Sequence, residues 1–171
     1  MKSARVAILG CGHWGKNLAR NFAELDALAA VVDPDAAVSK AQSELHNVDA
    51  MSLEEALASD IDAVVIAAPA EMHCNLALKA IQAGKHVYVE KPIALSVADG
   101  ERMINAATNA GKILMVGHLL RYHPVFVKLE SMVKNGDLGL IRYAYSHRLS
   151  TGKFRVEEDA FWSLAPHDIS M

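Results

Sequence analysis

Cysteine is scarce in this chain, with Cys11 and Cys74 as its two examples in 171 residues. They stand far apart at no metal-ligand spacing. That excludes a disulfide framework and a thiolate zinc site, and it fits a reducing compartment. Long apolar runs are also missing. The longest stretch, Ala63 to Ala70, falls well short of the roughly 18 residues a membrane-spanning helix needs. Val6 to Leu9 is too short for a signal-peptide core, so the chain reads as cytoplasmic. A cationic excess is absent too. Seventeen Lys and Arg against twenty Asp and Glu leave a net charge of −3, which argues against a nucleic-acid binder. No acidic or histidine cluster has metal-ligand spacing; His118 and His123 in particular are poorly spaced for one ion.

What is present is a globular composition, 52% hydrophobic and 22% charged, too apolar for a disordered chain. Short runs rich in Val, Ile and Ala recur at Arg5–Leu9, Ala29–Val32, Ala63–Ala67, His86–Glu90 and Ile113–Val116, with a weaker one near Asn47–Ala50. They lack polar alternation, which predicts parallel strands buried on both faces. Helix punctuation lies between them. Ser52 with Glu55 makes a capping box and Ser96 with Asp99 a looser one, while Gly84 and Gly111 stand where helices end. Met72, Leu76 and Ala80 predict one buried helix face, and Val97, Gly100, Ile104 and Ala107 another. The alternation of strand and helix gives an α/β fold, a doubly wound parallel sheet with right-handed crossovers.

The pattern changes after Gly117. Pro124 opens a helix predicted to run to about Lys134, with Val125, Leu129 and Met132 inward. A period-two run follows. Ile141, Tyr143, Tyr145, His147 and Leu149 share one face, which predicts a half-buried strand of an antiparallel sheet. A new apolar segment starts at Phe161. The expected organisation is one domain over 1–118 and, over 119–171, the start of a truncated α+β domain that is either a fragment or completes its sheet by oligomerising.

Gly10-Cys11-Gly12-His13-Trp14-Gly15 matches Gly-x-Gly-x-x-Gly. Alone the pattern is weak, but here it follows a strand and opens a helix, as a phosphate-binding turn must. Gly10 permits the turn, Gly12 lets backbone approach a pyrophosphate, and Gly15 lets helix and strand pack closely. Asp33 ends the second strand, where a carboxylate accepts from an adenosine ribose. It would repel a 2′-phosphate, so NAD is expected over NADP, with Lys40 as the residue able to reverse that preference. Ala68, Pro69 and His73 fall near the middle of such a cofactor. Glu90-Lys91-Pro92 closes a strand at its C-terminal end, where open parallel sheets bind ligands. Lys91 there could share a substrate proton. His167 follows Pro166, and imidazole suits the general base of an alcohol oxidation.

Four segments together resemble the Gfo/Idh/MocA family of NAD(P)-dependent sugar oxidoreductases. They are residues 10–15, Ala-Ala-Pro at 67–69 with His73, Glu-Lys-Pro at 90–92, and Arg-Tyr-His-Pro at 121–124. The resemblance implies a Rossmann domain followed by an open antiparallel substrate domain that often mediates homo-oligomers. It implies Lys91 and His167 as catalytic residues, and it places Arg121 and Tyr122 with the substrate. Many members carry an Asp four residues before the histidine, where this chain has Ser163. The stretch from Arg148 to Asp168 resembles the branch that oxidises the 3-hydroxyl of UDP-N-acetyl-amino sugars or their uronates. Arg148, Lys153 and Arg155 would then meet the sugar nucleotide's pyrophosphate. Which of Lys91 and His167 is the base stays open. An inositol or free-sugar substrate, and a dinucleotide-binding module without turnover, are the alternatives.

Overall fold

A computed structural model describes residues 3–147 and 160–171. The predicted substrate contacts Arg148, Lys153 and Arg155 lie outside the described residues. The chain divides into two compact units, Met1–Gly117 and His118–Met171.

The first unit alternates strand and helix throughout. In chain order these are β1 (Val6–Leu9), α1 (Gly15–Glu24), β2 (Leu28–Val32), α2 (Ala36–His46), β3 (Asp49–Ala50), α3 (Leu53–Ala58), β4 (Ala63–Ile66), α4 (Ala70–Gln82), β5 (His86–Val89), α5 (Val97–Asn109) and β6 (Leu114–Val116). The six strands form one parallel sheet in the order β3-β2-β1-β4-β5-β6. The order reverses between β1 and β4, and a doubly wound sheet opens its ligand crevice there.

The unbroken apolar strands are explained by two cores. Val6 and Ile8 pack with Val31, Val65 and Ala19 of α1 on one face. Leu9, Val64 and Ile66 pack with Leu76, Ala80 and Met103 of α4 and α5 on the other. Successive side chains of a strand point to opposite faces, so a strand covered on both must be apolar at every position. Each fully buried Val, Leu or Ile contributes about 1.5–3 kcal/mol.

Both predicted caps are made. The Ser52 hydroxyl accepts from the Glu55 N–H at 3.2 Å while the Glu55 carboxylate accepts from the Ser52 N–H at 2.7 Å. Ser96 accepts from the Asp99 N–H at 3.1 Å.

Two helix faces differ from their predicted stripes. On α4, His73, Leu76, Ala77, Ala80 and Ile81 are buried and Met72 is exposed. On α5, Gly100, Met103 and Ala107 are buried while Val97 and Ile104 face out. Steps of four drift about 40° around a 3.6-residue helix, so Met72 leaves the face that Ala80 holds. On α5 the face that turns inward is the one whose Met103 and Ala107 join the core formed with Val64, Ile66, Val87 and Val89.

The second unit holds a short 3-10 helix (Leu119–Tyr122), α6 (Pro124–Lys134) and α7 (Ala160–Ser170). α6 spans its predicted range, with Pro124 in its first turn and the His123 ring accepting from the Val125 N–H at 3.3 Å. Its stripe is not inward, however. Val125 and Leu129 are exposed and, with Pro124, Lys128 and Met132, line an open apolar groove.

The predicted antiparallel strand is also absent: residues 141–147 carry no strand, and Tyr143 is 81% exposed. A strand exists only where a neighbour satisfies its backbone, and no partner strand for this segment occurs among the described residues. None of the described helices is long and apolar enough to cross a membrane.

Candidate functional site

The loop after β1 is closed by two glycines and opened by a third. Gly10 adopts φ +90°, and its N–H donates to the Val32 carbonyl at 2.8 Å. A Cβ on Gly10 would stand 2.9 Å from the Ala68 nitrogen, and one on Gly15 1.9 Å from the Gly10 carbonyl oxygen. Both glycines therefore hold backbone against backbone. Gly12 is different, because an added Cβ there meets nothing within 4 Å. α1 begins beside it with no side-chain cap and no acidic residue in its first turn. Its positive end is thus left for an anion. A dinucleotide pyrophosphate fits this cradle: open space over Gly12, flanked by a helix N-terminus. His13 is exposed in the same loop.

Asp33 stands at the end of β2. Its carboxylate accepts from the Cys11 N–H at 2.7 Å and the Asp35 N–H at 2.9 Å. Each oxygen takes one backbone donor and keeps acceptor capacity for ribose hydroxyls. Lys40 extends from α2 toward Glu44, 3.8 Å away.

Burial, and then the neighbouring Asp33 charge, push the Cys11 thiol up to about 11. In a Cys74→Ser background, the ultraviolet absorbance of the native chain's thiolate should rise with a midpoint near that pH rather than near the ordinary 9.0. A native midpoint near 9 would count against this environment for Cys11.

On the other side of the switch point, Ala68 and Pro69 follow β4, and Glu90, Lys91 and Pro92 follow β5. Glu90 is buried, and one of its carboxylate oxygens accepts from the Trp14 indole N–H at 2.9 Å and the Tyr88 hydroxyl at 3.1 Å. The glycine loop is thereby tied to the residue before Lys91. Gly117 makes room for the pair, since a Cβ there would lie 2.6 Å from the Tyr88 hydroxyl and 2.7 Å from the Glu90 oxygen. Lys91 is half-buried, and its N–H donates to its neighbour's carboxylate at 3.3 Å. The Lys91-Pro92 peptide is cis. His73 is only 1% exposed, with its ring between the carbonyls of Pro92 and Ala68 at 2.8 and 2.9 Å.

The predicted cofactor residues thus collect at the C-terminal ends of β1, β2, β4 and β5. Tyr88 and Gly117 were not predicted. The signal for Tyr88 was present: it stands two residues before Glu90 in a strand, so both side chains leave the same face. Gly117 carried no local signal, because its role depends on two side chains of another strand.

Arg121, Tyr122 and His167 belong to the second unit. Arg121 donates to the Ser170 carbonyl and lies 3.8 Å from Glu130. Tyr122 is exposed. His167 stands in the last turn of α7, with Pro166 inside that helix. Its carbonyl accepts from the Ser170 hydroxyl at 2.9 Å, and Ser146 donates to Asp168 at 2.9 Å. No group of three His, Cys, Asp or Glu able to hold a metal ion occurs among the described residues.

A family model for Gfo/Idh/MocA, an oxidoreductase family with an NAD-binding Rossmann fold, matches residues 4–118. UDP-N-acetylglucosamine 3-dehydrogenase of Acidithiobacillus ferrooxidans is 30% identical over 98% of this chain and 52% of its own length. Its solved structure gives a TM-score of 0.73 at 32% identity, covering 77% of this chain and 43% of that one. A 2,7-anhydro-N-acetylneuraminate hydratase of Mediterraneibacter gnavus is 30% identical over 86% of this chain and 40% of its own. Scyllo-inositol dehydrogenase of Lactobacillus casei, solved with NAD(H) and scyllo-inositol, gives a TM-score of 0.75 at 27% identity, covering 81% of this chain and 43% of that one. The chain spans about half the length, or less, of these relatives.

Proposed function

We infer a function from one premise: the chain belongs to the Gfo/Idh/MocA oxidoreductase family, with its NAD-binding Rossmann fold. On that premise it carries the dinucleotide-binding part of an NAD-dependent dehydrogenase. The substrate is a sugar, read here as a UDP-N-acetyl-amino sugar or its uronate oxidised at the 3-hydroxyl. The observation that carries the reading is the open space over Gly12 beside the uncapped start of α1. The loop that carries Gly12 is held to Asp33 through the Cys11 N–H and to Glu90 through the Trp14 indole.

Bound NAD supplies a hydride acceptor, and the chain's residues do the rest. The backbone at Gly12, His13 and Trp14 cradles the pyrophosphate, with Gly10 and Gly15 fixing the turn. Asp33 accepts from the adenosine ribose. Pro69 and Ala68 border the nicotinamide side. Lys91 and His167 divide the handling of the hydroxyl proton between them, one as base and one as partner. Arg121 and Tyr122, and beyond them Arg148, Lys153 and Arg155, are assigned to the sugar nucleotide. The second unit, with its exposed apolar α6, is assigned to homo-oligomer contacts. The similarity to scyllo-inositol dehydrogenase supports an inositol as the second substrate reading.

The first test is a titration of the chain with NADH and with NADPH, followed by energy transfer from tryptophan. Trp14 is the near donor, since its indole is held against Glu90. Saturable binding that favours NADH is the expected result, and binding of neither would sink the reading. Hydride transfer from UDP-N-acetylglucosamine and from myo-inositol then separates the substrates. Lys91→Met should lower kcat by about 100-fold, the lower end of what a positioned proton-transfer group supplies, and leave NADH affinity within about twofold. Turnover of neither substrate with tight NADH binding would reduce the function to dinucleotide binding.

A further inference from the structure

We propose that His73 is a positioning residue: its buried ring locks the loop after β4 to the loop after β5 and so shapes the nicotinamide side of the site. The proposal rests on the dinucleotide reading above and adds a residue that acts without touching the ligand.

The geometry is specific. His73 lies in the first turn of α4, and its ring is inserted between two strand ends. One nitrogen is 2.8 Å from the Pro92 carbonyl, the other 2.9 Å from the Ala68 carbonyl. Both carbonyls are acceptors only. A ring N–H donates to the carbonyl it faces, so the ring ties α4 to these loops while filling the space between them. At 1% exposure the ring is closed to a bound molecule. What it controls is backbone: Ala68 stands directly before Pro69, and Pro92 directly after Lys91.

The two loops also belong to the same half of the crevice. In a sheet of order 3-2-1-4-5-6, one mononucleotide half rests on β1 and β2 and the other on β4 and β5. Asp33 and the glycine turn mark the adenosine half. The His73 clamp holds the Pro92 and Ala68 carbonyls of the other half, meeting the glycine turn where Ala68 abuts Gly10, while Asp33 is held by the Cys11 and Asp35 N–H groups instead. Loss of the clamp should therefore weaken binding of the nicotinamide end and spare the adenosine end.

The experiment compares NADH with ADP-ribose, which lacks the nicotinamide, on His73→Ala and His73→Gln, with thermal melting of each. In His73→Ala the NADH Kd should rise about tenfold and the ADP-ribose Kd should stay within twofold. His73→Gln keeps an N–H donor and should recover part of the NADH affinity; it also serves as the readable variant if His73→Ala does not fold. Parallel weakening of both ligands would assign the ring a general structural role and overturn the proposal. Unchanged NADH affinity in a folded His73→Ala would overturn it as well. Failure of the unsubstituted chain to bind either ligand would instead bring down the dinucleotide reading, and the proposal with it.

Discussion

Gly15→Ala should strongly destabilise the first unit, and Gly12→Ala, three residues away, should leave the fold intact and weaken dinucleotide binding. The contrast follows from what each new methyl meets. At Gly15 it would stand 1.9 Å from the Gly10 carbonyl oxygen and 2.8 Å from the Gly10 carbonyl carbon. Both are backbone atoms of a turn that is itself pinned, because Gly10 donates to Val32 and abuts Ala68. Nothing flexible can move aside. Overpacking typically costs about 1–3 kcal/mol, and a clash this short against fixed backbone belongs at or beyond the top of that range. A domain with ~5–15 kcal/mol in total loses much of its margin.

At Gly12 the methyl meets nothing within 4 Å, so the free chain should melt within a few degrees of the unsubstituted one. The same methyl projects into the space assigned to the pyrophosphate. If binding must absorb ~1–3 kcal/mol of overpacking, NADH affinity falls roughly 5- to 150-fold. Circular dichroism melting and NADH titration of both variants read the two effects separately. A Gly12→Ala chain that keeps its NADH affinity would refute the phosphate-loop assignment. A stably folded Gly15→Ala chain would show that the turn relaxes more than its contacts suggest.

Asp33→Asn should reverse the cofactor preference, with a combined swing of about 10,000- to 100,000-fold between NADH and NADPH. A 2′-phosphate about 4 Å from the carboxylate meets roughly 4 kcal/mol of repulsion per unit charge at an effective dielectric near 20. Removing the charge relieves this for NADPH. It also costs NADH a charged acceptor for its ribose, worth about 1.5–3 kcal/mol. Asn is the informative replacement. Its one carbonyl oxygen can keep either the Cys11 or the Asp35 N–H, where Ala would leave both without their present acceptor.

The same substitution should lower the Cys11 thiol from about 11, because the Asp33 charge is one of the two influences raising it; burial, the larger one, remains. Thiolate absorbance thus reports the charge change independently of any ligand. Lys40→Ala should alter the preference little, since Lys40 lies beside Glu44. An unchanged NADH-to-NADPH ratio in Asp33→Asn would remove Asp33 from the cofactor site.

Much of the first unit was legible because its instructions are local. β1, β2 and β4 are unbroken runs of Val, Ile, Leu or Ala, and β5 and β6 depart from that at His86, Tyr88 and Met115; each needed no more than its own composition to be found. The capping box at Ser52 and Glu55 was readable for the same reason. The faces of α4 and α5 were less so. Their stripes were found with an error in orientation, because Met72 and Ile104 fit the spacing but the rotation of each helix is set by what the sheet accepts. The strand predicted from Ile141 onward failed for a stronger reason. Period two makes a segment competent to be a strand, but the neighbouring strand that would realise it is not among the described residues.

The site divides in the same way. Gly10, Gly12, Gly15, Asp33 and Lys91 stand at strand ends that the sequence alone marks, and the chemistry of each could be named from residue type and spacing. That Gly12 is open while Gly10 and Gly15 are shut against backbone was decided by the tertiary structure, as was the tie from Trp14 to Glu90. The same is true of His73, which the sequence offers as a histidine near a cofactor and the fold buries between two carbonyls. Strand and turn formation depends on neighbours a few residues away, which the sequence displays. Clearance, burial and hydrogen-bond partners depend on atoms brought together from 19 to 76 residues apart, and only the packed sheet with its helices sets those distances.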